Sequence, residues 1–425
     1  MLHFTVRMEH LCSVEGFKIV DARNLYAALA QPGGRIVLLV MDGLGGLPSP
    51  DHGGTELECA ATPNMDRLAA EGMTGLSIPV RVGVEPGSGP AHLALFGVDP
   101  VAHEIGRGVL EALGIDFPLS PQDVAARGNF ATAAPDGTIL DRRAGRIPTS
   151  ECERCVALLQ EATQDCLPGV EVFVRPVKDY RFVLVLRGQG LGGELTETDP
   201  GVVGRPPLPV VDAGGTDTGQ YTADLFNRWL AVARETLRGE PAANSLNLRG
   251  LAKDPGVPSL AESWGLEAGA VAVYPMYRGV ARLVGMEPIE FEGEEPADEI
   301  RAVADHWDRK DFFFVHVKKT DSHGEDGNFD GKVSVIEAVD AAIPDLMALE
   351  PAAVAITGDH STPAVLRSHS WHPVPTLLWA RNVRPDSVRA FGEQGCAAGS
   401  MGLFPATDLL PQLMAHAGRL KRFGA

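Results

Sequence analysis

Ile36-Val37-Leu38-Leu39-Val40-Met41-Asp42-Gly43 places six apolar residues in a row and ends them at an aspartate. A continuous apolar run of this length is typical of a strand that is buried on both faces of a parallel sheet. Asp42 would then lie at the carboxyl end of the strand, the edge where ligands bind in open α/β sheets. A carboxylate there can hold a divalent cation, although an ordinary turn aspartate before a glycine is the alternative interpretation.

Ser88 lies between two glycines in the segment Gly87-Ser88-Gly89-Pro90-Ala91-His92-Leu93. Pro90 and the apolar residues after it predict a tight turn that opens a helix, where free backbone N–H groups can meet a phosphate. A serine hydroxyl is a weak nucleophile at neutral pH unless a base or a metal ion activates it. The alternative is an ordinary N-cap serine.

Two more apolar runs end in residues of the kinds that bind metal ions. Phe312 to Val317 is followed by Lys318-Lys319-Thr320-Asp321-Ser322-His323-Gly324-Glu325-Asp326-Gly327. Ala352 to Thr357 is followed by Gly358-Asp359-His360-Ser361-Thr362-Pro363, and His369-Ser370-Trp371-His372 comes next. Any single histidine here could be a solvated surface residue. Carboxylates and imidazoles after three strand ends, together with Ser88, predict a two-metal phosphoryl-transfer site.

On these motifs the chain resembles the archaeal-type, cofactor-independent phosphoglycerate mutases of the alkaline phosphatase superfamily. The resemblance covers the chain from about Arg35 onward and rests on Met41 to Gly43, Thr62 to Asp66, Gly87 to Gly97, Asp141 to Arg146, Asp359 to Pro363 and His369 to Pro375. It implies an α/β fold: an alkaline-phosphatase-like core with a mainly parallel central sheet flanked by helices, plus an inserted α+β cap domain. It also implies interconversion of 3-phosphoglycerate and 2-phosphoglycerate through a phosphoserine, a step of glycolysis and gluconeogenesis.

The resemblance assigns a role to each matching residue. Ser88 is the implied nucleophile. The implied ligands of one metal ion are Asp42, Ser88, Asp359 and His360, and those of the other include Asp321 and His369. The implied cofactors are two divalent ions, with Mn²⁺ favoured and Mg²⁺, Co²⁺ or Zn²⁺ as alternatives.

One ligand departs from the family pattern. The family usually has a histidine four residues after the Asp321 position, whereas this chain has Glu325 there and a histidine at His323. A glutamate oxygen can replace an imidazole nitrogen at a divalent ion, so we predict that Glu325 is the ligand and keep His323 as the alternative. A more oxygen-rich second site shifts the preference from zinc towards manganese or magnesium.

More than half of the chain separates Ser88 from Asp321, which predicts an inserted domain. We predict a cap domain at 107–255, a core domain at 35–106 and 256–425, and an N-terminal extension at 1–34 without an inherited role. The cap should contain strands near 128–132, 181–187 and 246–250. The chain should rejoin the core through a strand at 270–274 and a helix that begins within 279–285, and the extension should hold a helix at 21–30.

The cap should hold the substrate carboxylate, because the metal ions can bind only the phosphoryl group and the nucleophile. Arginine suits this task, since its planar guanidinium group matches carboxylate and phosphate oxygens. By resemblance, the substrate-binding candidates are Asn129, Arg142, Arg146, Arg181 and Arg249. An ordinary surface role is the alternative for each arginine. In the same region Glu197 replaces an aspartate of the family pattern.

Composition limits the classes of protein that fit. A chain of 425 residues exceeds what one core usually supports, and a net charge of -19 argues against nucleic acid or an anionic membrane as partner. Arg7 and Glu9 stand where a signal peptide would be apolar, which predicts a cytoplasmic protein. The Cys152-x-x-Cys155 pair lies in a helix predicted at 149–162; it lacks a second pair nearby and is interpreted as structural. The oligomeric state is not predicted.

The sequence therefore predicts a metal-dependent phosphoglycerate mutase with a small phosphorylated substrate. The second hypothesis is a phosphomonoesterase or another phosphomutase of the same superfamily. A third is a non-catalytic module that binds a metal or a ligand, and the intact Ser88 argues against it.

Overall fold

The computed structural model describes residues 22–424. Numbered in chain order, its strands are β1 (Ile36–Met41), β2 (Met73–Ile78), β3 (Asp123–Ala133), β4 (Ile139–Asp141), β5 (Glu171–Lys178), β6 (Arg181–Arg187), β7 (Ser245–Ala252), β8 (Ala268–Ala272), β9 (Glu287–Pro288), β10 (Phe312–Val317), β11 (Ala353–Thr357), β12 (Val374–Ala380) and β13 (Gly402–Pro405). Its α-helices are α1 (Ala22–Leu29), α2 (Glu56–Cys59), α3 (Pro63–Glu71), α4 (Ser88–Leu95), α5 (Arg107–Gly114), α6 (Thr149–Thr163), α7 (Asp217–Leu237), α8 (Leu260–Trp264), α9 (Pro275–Leu283), α10 (Pro296–His306), α11 (Lys319–Asp326), α12 (Phe329–Ala348), α13 (Glu393–Ala397) and α14 (Leu409–His416).

The larger sheet has eight strands in the order β13-β2-β12-β11-β1-β10-β8-β9. Strand β12 runs antiparallel to both of its neighbours, β11 and β2, and the remaining pairs are parallel. The predicted α/β class with a mainly parallel central sheet is therefore confirmed.

Helices cover both faces of this sheet. All six residues of β1 are buried, as the apolar run predicts. Ile36, Leu38 and Val40 pack with residues of α4, α5, α8, α9 and α14 on one face. The alternate residues pack with α3, α10 and α12 on the other face. A strand enclosed on both sides has no polar positions to offer, so only its carboxyl end can carry chemistry.

The smaller sheet has five antiparallel strands. Four of them follow the order β4-β3-β6-β5, and β7 also pairs with β3. One of its faces packs against α6 and α7 in a separate apolar core. On the other face Ala125, Val183 and Val185 join the apolar cluster of the large sheet and α5. The strands predicted near 128–132, 181–187 and 246–250 are confirmed, and the sheet lies inside the range predicted for the cap. The domain limits themselves stay a prediction.

The chain rejoins the large sheet differently from our prediction. Strand β8 ends at Ala272 instead of residue 274, and α9 begins at Pro275 instead of within 279–285. Proline at the first helical position has its φ already set for a helix. Gly279 serves packing, because a Cβ there would lie 2.3 Å from the Leu110 carbonyl oxygen of α5. The glycine that suggested a helix start is thus a point of close helix contact.

Two smaller predictions concern α1 and α6. The predicted helix at 21–30 is observed at Ala22–Leu29; Asp21 and the rest of the segment 1–21 lie outside the described residues. Helix α6 spans Thr149–Thr163, and Cys152 and Cys155 lie buried in the core of the small sheet. Burial raises the pKa of these thiols to about 12 and about 11, which suits the structural interpretation.

Among the described residues, no helix combines the length and the apolar character that crossing a membrane requires.

Candidate active site

Three parallel strands of the large sheet end at one edge and position the buried carboxylates of the site. β1 lies between β10 and β11. Asp42 follows β1 directly, and Asp359 comes two residues after β11. Their exposed fractions are 0% and 1%. The ligand-type residues of distant segments therefore meet at this edge, as expected for the carboxyl ends of parallel strands.

Asp42, Asp359 and His360 form a first cluster, in which the possible ligand atoms lie within 4.8 Å of one another. His360 Nε2 lies 3.4 Å from Asp42 Oδ1, 3.2 Å from Asp359 Oδ2 and 3.1 Å from Ser88 Oγ. Ser88 is the first residue of α4, and Gly87 is the N-cap. The alternative of an N-cap serine is therefore wrong, and the Ser88 hydroxyl contacts the cluster instead.

Each carboxylate of the first cluster keeps one oxygen without a hydrogen bond. Asp42 Oδ2 accepts from the Tyr277 hydroxyl and lies 3.0 Å from Lys318 Nζ, and Asp359 Oδ1 accepts from Gly43 N at 3.0 Å. Asp42 Oδ1 and Asp359 Oδ2 have no hydrogen-bond partner among residues 22–424. Burial and the nearby Asp42 charge raise the pKa of Asp359 to about 8. A bound cation would stabilise this pair of buried carboxylates.

His360 presents a lone pair to the first cluster. Thr362 Oγ1 donates its one proton to Asp321 Oδ1 at 2.7 Å, so it must accept from His360 Nδ1 at 2.9 Å. Burial lowers the pKa of His360 to about 4, which keeps the ring neutral at neutral pH. A neutral ring with its proton on Nδ1 carries its lone pair on Nε2, the atom beside Ser88 Oγ. His360 Nε2 has the form that a metal ligand requires.

Asp321, His360 and His369 form a second cluster, again with ligand atoms within 4.8 Å. The ring of His369 stacks on that of His360, with 3.7 Å between the centroids, and its Nδ1 lies 3.0 Å from the Pro86 carbonyl oxygen. His369 Nε2 lies 3.6 Å from Asp321 Oδ1 and 3.8 Å from Glu325 Oε1. Because His360 belongs to both clusters, the residues predicted for two metal ions form one continuous group.

Helix α11 places Glu325, and not His323, beside the second cluster. Asp321 and Glu325 are four residues apart on this helix and therefore share a face. The Glu325 side chain is 55% exposed, with Oε1 3.8 Å from His369 Nε2. His323 Nδ1 lies 3.1 Å from Asn328 Nδ2 instead. These contacts favour Glu325 over His323.

Sequence reasoning missed several residues that contact the clusters, among them Lys318, Tyr277 and His316. Lys318 Nζ lies 3.0 Å from Asp42 Oδ2 and 2.5 Å from Asp321 Oδ2, so its ammonium group joins the two clusters. Burial lowers the pKa of Lys318, but Asp42 and Asp321 together outweigh burial and raise it. Tyr277 stacks on His316, with 3.6 Å between the centroids. Lys318 could have been identified as a site residue from its position directly after a buried strand. Tyr277 and His316 gave no such signal in the sequence.

One face of the small sheet turns a group of polar side chains towards the large sheet. Strand register aligns five of them on adjacent strands, namely Arg181, Asn129, Asn247, Arg127 and Arg249. Arg181 links this face to the first cluster, because it donates to the Tyr274 hydroxyl at 2.9 Å. The Tyr274 ring lies 5.9 Å from the ring of Tyr277, whose hydroxyl donates to Asp42. Arg181 is therefore connected to Asp42 of the first cluster through Tyr274 and Tyr277.

The other candidate arginines are mostly paired with acidic residues. Arg142 makes two bonds to Asp199, at 2.8 and 2.7 Å. Arg249 Nε lies 3.2 Å from Glu197 Oε2 and 3.8 Å from Asp199 Oδ2, so Arg142 and Arg249 share one carboxylate. Arg146 is exposed and has a φ of 55°. The structure thus brings Asn129, Arg181 and Arg249 onto one face, places Arg142 beside it, and leaves Arg146 at the surface.

Buried polar atoms without partners gather on the same face. The side-chain atoms here that make no hydrogen bond to any described residue are Arg181 Nε, Asn129 Oδ1 and both amide atoms of Asn247; Arg127 Nε makes none either, but it lies 3.3 Å from Glu111 Oε1 in an ion pair. Buried polar groups are normally bonded, so such a concentration is typical of a site that binds a ligand. Asn244 shows the contrast, because its amide bonds Ala133 N at 2.7 Å and Ala133 O at 2.9 Å.

We expect Asn247→Leu to keep or raise the free energy of unfolding, because the substitution removes an unbonded buried amide. Asn244→Leu is the matched control and should destabilise the protein by about 1–3 kcal/mol, since it leaves both Ala133 groups unpaired. Urea unfolding of the two variants and the wild type measures the difference. An equal loss of stability in both variants would show that Asn247 is bonded in the folded protein.

Glu151, Cys155 and Glu240 form another group of possible metal ligands. The positively charged side chain of Arg154 already lies beside its two carboxylates. Arg154 Nη2 lies 2.7 Å from Glu151 Oε1 and also pairs with Glu240. The guanidinium group satisfies both carboxylates, so this cluster needs no metal ion.

The fold and the site together define the class of the protein. It is an α/β protein in which a serine hydroxyl at a helix start lies beside two adjoining clusters of carboxylates and imidazoles at the edge of the central sheet. Such an arrangement of nucleophile and ligands suits metal-assisted phosphoryl transfer.

Comparison with known proteins narrows this class to a family. Residues 69–243 match the family model described as 2,3-bisphosphoglycerate-independent phosphoglycerate mutase. Proteins named probable 2,3-bisphosphoglycerate-independent phosphoglycerate mutase are 50% identical in Thermus thermophilus, over 92% of this chain and 96% of that protein, and 47% identical in Aquifex aeolicus, over 92% and 97%. The chain belongs to this family, which confirms the resemblance drawn from its motifs.

Solved structures agree with this assignment. A protein from Pyrococcus horikoshii superposes with a TM-score of 0.79 at 30% identity, covering 93% of this chain and 100% of that one. The cofactor-independent phosphoglycerate mutase from Thermoplasma acidophilum gives a TM-score of 0.68 at 29% identity, covering 90% and 100%. The fold is therefore shared along nearly the whole chain.

Proposed function

We propose that the chain interconverts 3-phosphoglycerate and 2-phosphoglycerate through a phosphoserine on Ser88. The observation that carries the proposal is the position of Ser88 Oγ, 3.1 Å from His360 Nε2, an atom that lies 3.4 and 3.2 Å from carboxylate oxygens without hydrogen bonds. The names of relatives that are 50% and 47% identical support phosphoglycerate as the substrate. A cytoplasmic location remains a prediction from the sequence.

The donors present fit two divalent ions. The unbonded oxygens of Asp42 and Asp359 and the Nε2 lone pair of His360 face one another in a buried space. Asp42, Ser88, Asp359 and His360 would hold one ion, and Asp321, Glu325 and His369 would hold the other. When bound, such ions lower the pKa of a serine hydroxyl and neutralise charge on the transferred oxygens. Four carboxylates with two imidazoles favour Mn²⁺, with Mg²⁺, Co²⁺ or Zn²⁺ as alternatives.

The chemistry assigned to this chain's own residues is a phosphoryl transfer in two halves. The Ser88 Oγ–P bond forms as the P–O bond to glycerate breaks in line with it, and the proton that the Ser88 hydroxyl loses is balanced by the proton that the departing glycerate oxygen takes up. The glycerate then turns within the site, and its other hydroxyl takes the phosphoryl group back from Ser88. Lys318 lies between the two clusters and adds positive charge where the phosphoryl oxygens would lie.

The polar face of the small sheet suits the task of holding glycerate during this turn. Arg181 and Arg249 offer guanidinium groups for the carboxylate, and Asn129 offers an amide for a hydroxyl. A mutase must keep water from the phosphoserine, whereas a phosphomonoesterase must admit it. The names of relatives that are 50% and 47% identical support the mutase over the hydrolase.

Purified protein supplied with Mn²⁺ and 3-phosphoglycerate should form 2-phosphoglycerate with little inorganic phosphate. We expect Arg249→Ala to lower kcat/KM by roughly 10-fold or more, because a charged hydrogen bond to the substrate is lost. Arg238→Ala is the matched control, since Arg238 directly follows α7, its side chain is 77% exposed, and it pairs with Glu235. Enolase-coupled detection and a phosphate assay follow the two products. Phosphate as the main product, with no 2-phosphoglycerate under several divalent ions, would instead support the phosphomonoesterase hypothesis.

A further inference from the structure

Lys332 on α12 is a fully buried lysine that the proposed reaction does not use. Its exposed fraction is 0%. Its Nζ lies 2.9 Å from Gly43 O, 3.2 Å from Gly45 O and 2.9 Å from Thr362 O. A carbonyl oxygen can only accept, and a neutral amine has only two hydrogens to donate. Three donated bonds therefore require the charged ammonium form.

The three carbonyls belong to the two loops that carry the first cluster. Gly43 and Gly45 lie in the loop after β1, which begins with Asp42. Thr362 lies in the loop after β11, which also carries Asp359. The loops contact each other directly, because Thr362 N lies 3.2 Å from Gly43 O and 3.0 Å from Gly45 O. The ammonium group therefore lies at the junction of the two loops.

Glu56 on α2 supplies the opposite charge. It is 0% exposed, and its Oε2 lies 3.9 Å from Lys332 Nζ. Its Oε1 accepts from Ala364 N at 2.7 Å, so it also holds the loop after β11. A buried ammonium group is stable only when it is paired or well bonded, and this one is both.

We infer that Lys332 is a positioning residue of the metal centre, whose ammonium group sets the spacing of the two ligand loops before an ion binds. The inference rests on the proposed function, because it assumes that Asp42 and Asp359 bind a divalent ion. Ligand atoms of the two carboxyl groups lie within 4.8 Å of each other, and once both groups are ionised to bind a metal ion they repel, which would push the two loops apart. Three charge-assisted hydrogen bonds oppose that separation and keep the ligands preorganised.

Lys332→Met in the full chain should weaken Mn²⁺ binding by about 10–100-fold, the usual effect of removing a group that orients metal ligands. It should also lower the Tm, because Glu56 is left buried and unpaired. The double variant Lys332→Met with Glu56→Gln removes the unpaired buried charge of Glu56. We expect its Tm to recover while its Mn²⁺ affinity stays low, since the carbonyls are still not held. If the single variant does not fold, Mn²⁺ affinity can still be measured on the double variant.

Glu56→Gln alone retains the three carbonyl contacts and should keep wild-type Mn²⁺ affinity. Lys310→Met is the control for losing a lysine elsewhere, because Lys310 pairs with Glu287 far from the ligand loops. Recovery of Mn²⁺ affinity together with Tm in the double variant would overturn the positioning role and leave the metal site intact. Failure of the wild type to bind Mn²⁺ would overturn the proposed metal site, and this inference with it.

Discussion

Ser88→Ala is expected to abolish both phosphoenzyme formation and mutase activity, with a loss of about 10⁴-fold or more in kcat. The substitution removes the nucleophile and leaves Asp42, Asp359 and His360 in place. The fold and metal binding at the first cluster should therefore persist. Intact-mass analysis after exposure to 3-phosphoglycerate detects the added phosphoryl group, and peptide mapping locates it.

Ser334→Ala is the matched control for this experiment. Ser334 lies on α12, with its hydroxyl bonded to the Asp330 carbonyl at 2.8 Å, and it is remote from the clusters. This variant should be phosphorylated like the wild type. A phosphopeptide from any residue other than Ser88 would refute the assignment of the nucleophile.

Glu325→Ala is expected to lower metal affinity at the second cluster by more than about 10-fold, because it removes a direct ligand. His323→Ala is the matched control, two residues earlier on α11. It should change metal affinity little, since His323 contacts Asn328 and not the cluster. Metal content after dialysis and Mn²⁺ titration measure both variants.

The two variants also test which residue replaces the family histidine. A larger loss in His323→Ala than in Glu325→Ala would make His323 the ligand and would mean that helix α11 turns differently when the ion is bound. A loss at Glu325 with retained stability would support an oxygen-rich second site that prefers manganese over zinc.

The sequence was a good guide where a local pattern has one physical explanation. A run of apolar residues such as Ile36–Met41 is stable only when enclosed, so it predicted both the strand and the parallel sheet around it. Polar residues directly after such runs had to lie at the carboxyl edge, and Asp42, Asp359 and His360 do. The motif around Ser88 likewise predicted a helix start, which the structure shows.

Residues within regular elements gave no comparable signal. Tyr277 belongs to an amphipathic helix and His316 to a buried strand, so each read as a core residue, although both contact the carboxylate of Asp42. Gly279 was misread as a helix start because a glycine needed for close packing looks the same in sequence as one that ends or begins an element. The pairing of Arg142 with Asp199 was likewise invisible, because 57 residues separate them.

By itself the sequence determined the α/β class, the strand ends that carry chemistry, the family and most of the candidate ligands, because these follow from local patterns and motif spacing. Only the tertiary structure decided which partners each group has. It placed Lys318 between two carboxylates, left one oxygen of Asp42 and one of Asp359 without hydrogen bonds, and set Lys332 beneath both ligand loops. The physical reason is that burial and charge at a site depend on contacts between segments far apart in the chain, and no local pattern encodes those contacts.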